Sequence, residues 1–368
     1  MKSPLFLCAG LLLVACASTD DTSVGSGTGT GTDVPPTSEQ KPAGPKANGT
    51  MGEWNALPDL PTPRGNHCAV ATNGWLVVIG GNYKPKGAAE FVTTDEVHAA
   101  KIQDDGTLGE WKLAGKTPSP VSSCTAAAAP NDGLVYLVDG IYDDESAGKA
   151  VHVADITDDG TLESWRDAGA LPSGVRILYS QATIVDGDLR AFHARLPDDG
   201  DGIALVRGRD AKFSESTWLE GFRGHPQYVF AGEYIYALGG YAGADKGNAV
   251  LADGAGAKLD ASGAPGASFP VSALPKATAF GRAIAVDDWV FVVGGKDEVM
   301  SGKGRADVFA AKIDATNGAL ADWNEVSSLP QGRTSHALVS YGSFLYVVGG
   351  GYDAGGLDSV FSSRVRFE

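Results

Sequence analysis

The chain has 368 residues, with 50 glycines, 19 prolines and only 20% charged residues, a composition suited to many short strands joined by tight turns rather than to long helices. A formal net charge of -16 excludes charge-driven binding to nucleic acid or to an anionic membrane surface, and leaves a basic partner or a neutral ligand easier to accommodate. The length could hold two ordinary domains, but an internal repeat lets one large domain take most of it.

At the N-terminus one Lys precedes an apolar run from Leu5 to Val14, too short to span a bilayer and of the length of an export-signal core. The run ends in Leu13-Val14-Ala15-Cys16, which resembles the lipobox of bacterial lipoproteins. That resemblance implies cleavage after residue 15, acylation of Cys16 and, with Ala17 next in line, delivery to the outer membrane. Residues 16–47 then carry Gly, Thr, Ser and Pro with almost nothing apolar to bury, as in Gly25-Ser26-Gly27-Thr28-Gly29. Such a segment cannot offset its ordering entropy and reads as a disordered tether, with the lipid as the sole membrane contact.

From residue 48 to 368 a phrase recurs. Ile102-Gln103-Asp104-Asp105-Gly106-Thr107-Leu108-Gly109-Glu110-Trp111 returns as Ile156 to Trp165 and Ile313 to Trp323, with a shortened copy at Asn48 to Trp54. The closing aromatics Trp54, Trp111, Trp165, Trp218, Phe269 and Trp323 lie 57, 54, 53, 51 and 54 residues apart. Within each unit a turn, often Leu-Pro, leads to a small-residue strand and then to a strongly apolar one, such as Trp75 to Ile79 or Phe344 to Val348. The β-branched and aromatic content of these short runs marks strands. Four of them end in a Gly pair: Gly80-Gly81, Gly239-Gly240, Gly294-Gly295 and Gly349-Gly350. A variable loop, a third strand, an Asp-Gly hairpin and the Trp strand complete the unit.

This pattern of about fifty residues resembles Kelch repeats, which implies an all-β fold: a six-bladed Kelch-type β-propeller. Two units depart from it, with Asp139-Gly140 and His193-Ala194 in place of the Gly pair. A third dissolves after Gly239-Gly240 into Gly254-Ala255-Gly256 and Gly263-Ala264-Pro265-Gly266, which puts the outer strands of blades three and four in doubt. The last unit stops at Phe367 without its own Asp-Gly and Trp. Asn48 to Trp54 supplies what is missing, so the N-terminal strand is expected to close the last blade and remove a free sheet edge.

Kelch propellers bind at the face where the innermost strands begin, so residues ahead of those strands are the candidate ligand-binding set. Arg64, Arg223 and Arg333 each stand sixteen positions before the first Gly of a pair, and His67 and His336 follow two of these arginines by three; Arg176 is one position out of register. Guanidinium forks suit carboxylate or sulfate, but each Arg can equally bond carbonyls of its own or the next blade. Ring closure makes the first and last blades neighbours, placing two Arg and two His near one rim. Cys68 and Cys124 fall at matching places in blades one and two, and export permits a disulfide. Neighbouring inner strands can exceed the roughly 7 Å Cα limit, which favours two packed thiols. The Asp-Asp-Gly runs at Asp104 and Asp158 are hairpin chemistry rather than a calcium loop.

No metalloprotease, nucleotide-loop or hydrolase-elbow motif occurs in the sequence, and nothing matches the Tyr-Cys pair and His ligands of galactose oxidase. No metal or cofactor is expected. The sequence reads as an outer-membrane lipoprotein whose monomeric propeller binds an envelope or surface protein, or an anionic glycan or peptide. The rival is a carbohydrate-active enzyme similar to the sialic acid epimerase propellers, supported only by the Arg and His cluster.

Overall fold

The computed structural model describes residues 46–368 except 143–149, 173–179, 186, 195–201, 208–212, 220–222, 301–302 and 352–354. The expected signal, Cys16, nearly all of the tether, and Arg176 lie outside the described residues.

The chain enters through β1 (Ala47–Met51) and β2 (Asn55–Leu57). The first blade follows with β3 (Cys68–Thr72), β4 (Trp75–Ile79), a small β5–β6 ladder (Asn82–Tyr83, Val92–Thr93), β7 (Glu96–Lys101) and β8 (Lys112–Lys116). The second is β9 (Val121–Ala127), β10 (Leu134–Tyr142), β11 (Ala150–Asp155) and β12 (Arg166–Ala170). The third is β13 (Gln181–Val185), β14 (Asp188–Ala194), β15 (Gly202–Arg207) and β16 (Phe213–Leu219). The fourth is β17 (Gln227–Ala231), β18 (Tyr234–Leu238), β19 (Gly254–Leu259) and β20 (Pro265–Val271). The fifth is β21 (Arg282–Val286), β22 (Trp289–Val293), β23 (Val308–Lys312) and β24 (Asn324–Glu325). The chain ends with β25 (Ala337–Tyr341), β26 (Phe344–Val348) and β27 (Val360–Phe367). Each of these five blades is a four-stranded antiparallel sheet, β3-β4-β7-β8 in the first and four consecutive strands in the others; in place of the expected sixth such blade, the three C-terminal strands form a composite sheet with β1 and β2, both paired to β27. The first strands β3, β9, β13, β17, β21 and β25 touch in sequence, and β25 returns to β3, so the sheets surround an axis. Among the described residues the one helical element is a 3-10 turn at Ala244–Lys246.

Two second strands, β4 and β18, are buried along their whole length, and β22 and β26 in all but their first residue. This explains their unbroken apolar sequence: a strand packed on both faces has no polar side to alternate with. The core is correspondingly divided into layers between blades. Val77 and Val135 pack in one such layer, Tyr346 and Leu76 in the next, and Phe291 and Leu345 in another.

Where the repeat was expected to dissolve, the structure keeps its strands. The Gly-rich run 254–259 is β19, with glycine at Gly256 because a Cβ there would stand 2.9 Å from the rings of both Phe269 and Tyr236. Pro265 and Pro270 are tolerated because β20 is the outermost strand, where a missing N–H breaks no inner ladder. In the second blade β10 runs through Asp139-Gly140 to Tyr142 with shifts of register, and in the third β14 runs through His193-Ala194.

Candidate functional site: the channel and its mouth

The Gly pairs form the joints between blades. Both glycines of each pair have positive φ, for example 58° and 95° at Gly80 and Gly81. The second glycine donates its N–H to a carbonyl of the next blade: Gly81 to Val121 (2.7 Å), Gly240 to Thr278 (2.7 Å), Gly295 to Arg333 (2.9 Å) and Gly350 to Arg64 (2.9 Å). A Cβ on the first glycine would lie within 2.3 to 2.8 Å of that same carbonyl oxygen. No side chain fits such an approach, so the pair is required by the interblade bond as well as by its dihedrals.

The arginines belong to the same joints. Arg64 Nη1 donates to the Gly80 carbonyl (3.1 Å) and Nη2 faces Glu96 (3.4 Å). Arg333 Nη1 donates to the carbonyls of Gly349 (2.9 Å) and Ser359 (3.1 Å), with its guanidinium 4.8 Å from the Phe361 ring centre. Arg223 donates to the Gly239 carbonyl (2.6 Å) and the Asp253 carboxylate (2.8 Å). Arg64 and Arg333 are 0% and 1% exposed. Each arginine thus ties its own Gly-pair carbonyl, and in two cases its own main-chain carbonyl receives the preceding blade. Of the two roles open in the sequence, the structure realises the structural one, because the donors that would grip an anion are already used inside the blade.

His67 and His336 are brought close to one another as expected, but inside the protein: they are 2% and 0% exposed, the ring nitrogens of neither make a well-aligned hydrogen bond, and the Val348 backbone is the polar neighbour of His67. Burial, reinforced by the charges of Arg64 and Arg282, lowers the pKa of His67 to about 3. Burial, with Arg282, Arg333 and His67 adding to it, holds His336 well below its usual value. Both rings are therefore neutral at physiological pH.

Cys68 and Cys124 form a disulfide with a Cα separation of 5.6 Å, which corrects the expectation of two free thiols. Inner strands converge on the axis, and β3 and β9 come nearer than the limit.

One feature of the mouth has no sequence signature. Asn66, His225, Phe280 and Ser335, each two residues before an inner strand, and Ser123, the third residue of β9, have φ between 45° and 60°. They are linked through the backbone: Ser123 N–H donates to Asn66 O (2.6 Å), Asn66 to Ser335 (3.0 Å), Ser335 to Phe280 (3.0 Å) and Phe280 to His225 (3.2 Å). This collar holds the inner strands in common register. Asn and His tolerate the left-handed region, whereas Phe there is costly. The His225 and Phe280 rings stack at 4.0 Å, and Lys296 Nζ lies 4.8 Å from the Phe280 centre.

Below the collar lies a cavity of about 280 Å³ lined by all the first strands. Its wall is built largely of alanines, among them Ala69, Ala126, Ala182 and Ala283, since only small residues fit where the strands crowd together. Among the described residues, Arg282 and His67 are the lining residues of basic type, and His67 is neutral. Arg282 opens β21 at the register where β3 has Cys68 and β17 has Gln227. The sequence pattern missed it because it does not share the offset of the other arginines.

No family model and no curated protein matches the sequence. Among solved structures, the chain is similar to the structure of YjhT, with a TM-score of 0.59 and 15% identity, covering 83% of this chain and 96% of that one. At this identity the likeness speaks for architecture alone, and together with the strand order it establishes the chain as an all-β propeller.

Proposed function

We propose that the protein is an outer-membrane lipoprotein whose propeller is a binding module for an envelope or surface protein or a glycan. Counting the composite sheet as the sixth blade, the domain is read as Kelch-type, on the strength of its Gly pairs, Trp strands and Asp-Gly hairpins. The anchoring rests on Leu13-Val14-Ala15-Cys16 and on the polar segment behind it. The observation that carries the choice of binding over catalysis is the fate of the Arg and His cluster. Acid–base catalysis by this cluster needs a group that exchanges protons near the working pH, and His67 and His336 are buried and neutral there.

Two measurements on the full chain test this. Cys16→Ala is expected to move the protein from the membrane to the soluble envelope fraction or to block its processing; unchanged fractionation and processing overturn the anchor. Affinity capture against separated envelope proteins and a glycan panel is expected to return a saturable partner. Turnover of a sugar substrate would instead overturn the binding-only reading, with His67→Gln deciding whether that catalysis uses His67 or lies elsewhere in the protein.

A further inference from the structure

The Cys68–Cys124 bond joins two groups that the folded ring conceals. Both residues belong to the layer packed between the first two blades, with Val77, Val97 and Val135, and are 7% and 5% exposed. Cys124 Sγ lies 3.6 Å from the Ile79 carbonyl oxygen of β4, and a Cβ on Gly140 would stand 3.2 Å from the Cys124 Cβ. The channel beside them has a volume of about 280 Å³, room for a small molecule and far too little for a protein. The backbone nevertheless holds the pair in register. Asn66, two residues before Cys68, accepts the N–H of Ser123, the residue before Cys124 (2.6 Å), and Gly81 N–H donates to Val121 O (2.7 Å). The closed joint therefore aligns the cysteines at a Cα separation of 5.6 Å, and the same closure shuts them away.

We propose that the chain is a substrate of an envelope dithiol oxidase, which oxidises Cys68 and Cys124 while the joint between the first two blades is still open. Thiol–disulfide exchange requires a thiolate to reach the sulfur it attacks, so access decides when it happens. In the first step one cysteine of the unpacked chain, as thiolate, attacks the oxidase's disulfide; a mixed disulfide forms and one oxidase sulfur leaves as thiolate. As β9 docks on β3, the second cysteine displaces the other oxidase sulfur. One S–S bond is made in the chain and one is lost from the enzyme, and the two electrons and two protons of the thiols pass to its dithiol. Chain order favours this sequence of events. The cysteines are 56 residues apart, whereas the ring closes through Trp54 and Ser327, 273 residues apart, and the shorter loop loses less entropy on closing. Cys68 and Cys124 are the only cysteines beyond residue 16, so the domain offers a single pairing and needs no disulfide isomerase. The compartment is that of the export reading; the binding role is not involved.

Two experiments on the full chain test this. In bacterial cells, thiols trapped in acid and counted by a maleimide-polymer gel shift are expected to show the pair oxidised in the parent strain and in one lacking the envelope disulfide isomerase. In a strain lacking the dithiol oxidase they are expected to be reduced, with oxidation restored by cystine in the medium. Oxidation in the oxidase-deficient strain without cystine overturns the enzyme partner alone; reduced thiols in every strain overturn it together with export. In vitro, the purified protein is reduced in urea and neutral detergent and diluted into native buffer. An oxidised Cys-X-X-Cys dithiol oxidase is added either at dilution or after the tryptophan fluorescence has settled. Late addition is expected to oxidise the pair at least about tenfold more slowly, and return to urea to restore the fast rate. Equal rates for a late sample with native fluorescence show that the closed joint admits the enzyme and overturn the order of events. A late sample that keeps the fluorescence of the unfolded chain makes the bond a precondition of folding, which supports that order.

Discussion

His67 and His336 are the residues whose chemistry departs most from their unfolded behaviour. Unfolded imidazole takes up a proton near 6.5, but His67 in the fold does not do so until about 3, and His336 is depressed for the same reason, burial. The unfolded chain therefore binds more protons throughout that window. The stability of the neutral, buried rings is complete above about pH 6.5 and is lost as pH falls toward 3, at up to about 1.4 kcal/mol per pH unit for each histidine. The charged groups acting on the two rings are Arg64, Arg282 and Arg333, which keep their charge over this range. Urea midpoints measured from pH 7 to 5, above the range where surface carboxylates titrate, are expected to fall steadily in the wild type. In His67→Gln, which makes the site titration-free, the slope is expected to be shallower, the remainder coming from His336 and from His98 and His152, whose pKa values burial also lowers. An unchanged slope would show that His67 is solvated rather than buried.

At the scale of elements, the repeated phrase is a device for joining one blade to the one before. Its Asp accepts from the backbone of the next Thr but one, as Asp105 does from Thr107 (2.9 Å) and Asp314 from Thr316 (2.8 Å). Its Gly lies flat on an aromatic ring of the preceding blade: Gly106 on Phe344, Gly160 on Trp75, Gly318 on Tyr234 and Gly49 on Trp289. Its Trp donates to a carbonyl of that same blade, Trp111 to Pro58 (2.9 Å), Trp165 to Lys116 (2.8 Å), Trp323 to Ser272 (3.0 Å) and Trp54 to Ser327 (2.8 Å). The last of these bonds joins residues 273 positions apart and is the ring's closure. A chain beginning at Lys46 is expected to melt like the full protein. One beginning at Pro58 loses β1, β2 and the buried Trp54 indole. Loss of a buried Trp alone costs about 3–5 kcal/mol, so its Tm is expected to drop by more than roughly 10 °C. Equal melting temperatures in calorimetry would mean that the composite sheet does not depend on its N-terminal strands.

For the whole molecule, the notable constraint is that the core is a circuit of interblade layers, each contacting only its neighbours. A ring of this kind is only as cooperative as its weakest joint. The Cys68–Cys124 disulfide fastens the joint between the first two blades, alongside the Gly81-to-Val121 bond. It spans 56 residues, for which loop-closure entropy gives about 4 kcal/mol. Cys68→Ser with Cys124→Ser is expected to lower unfolding stability by about 2–4 kcal/mol, seen as a lower urea midpoint. Reductant is expected to reproduce that loss only under conditions that unfold the protein, since both sulfurs are buried. A midpoint unaffected by the double substitution would leave the joint held by packing alone.

The sequence by itself determined the repeat, the strand order within a blade and the closure by Asn48 to Trp54, because those depend on local turn chemistry and on runs of apolar residues that read the same in every copy. It also marked Arg64, Arg223, Arg333, His67 and His336 as related positions. Only the tertiary structure decided what they do. Register shows that residues are equivalent, not which way their donors point, and the arginines are consumed by carbonyls sixteen residues away while the histidines are buried between blades. The Gly-rich run of the fourth blade misled because glycine normally weakens a strand, whereas Gly256 answers to rings packed against it from β18 and β20. The disulfide, which the sequence offered but ranked behind two thiols, and the left-handed collar and the place of Arg282 on the channel wall, which it did not show, share a common reason: each arises from strands of different blades converging on one axis, a distance that no spacing along the chain records.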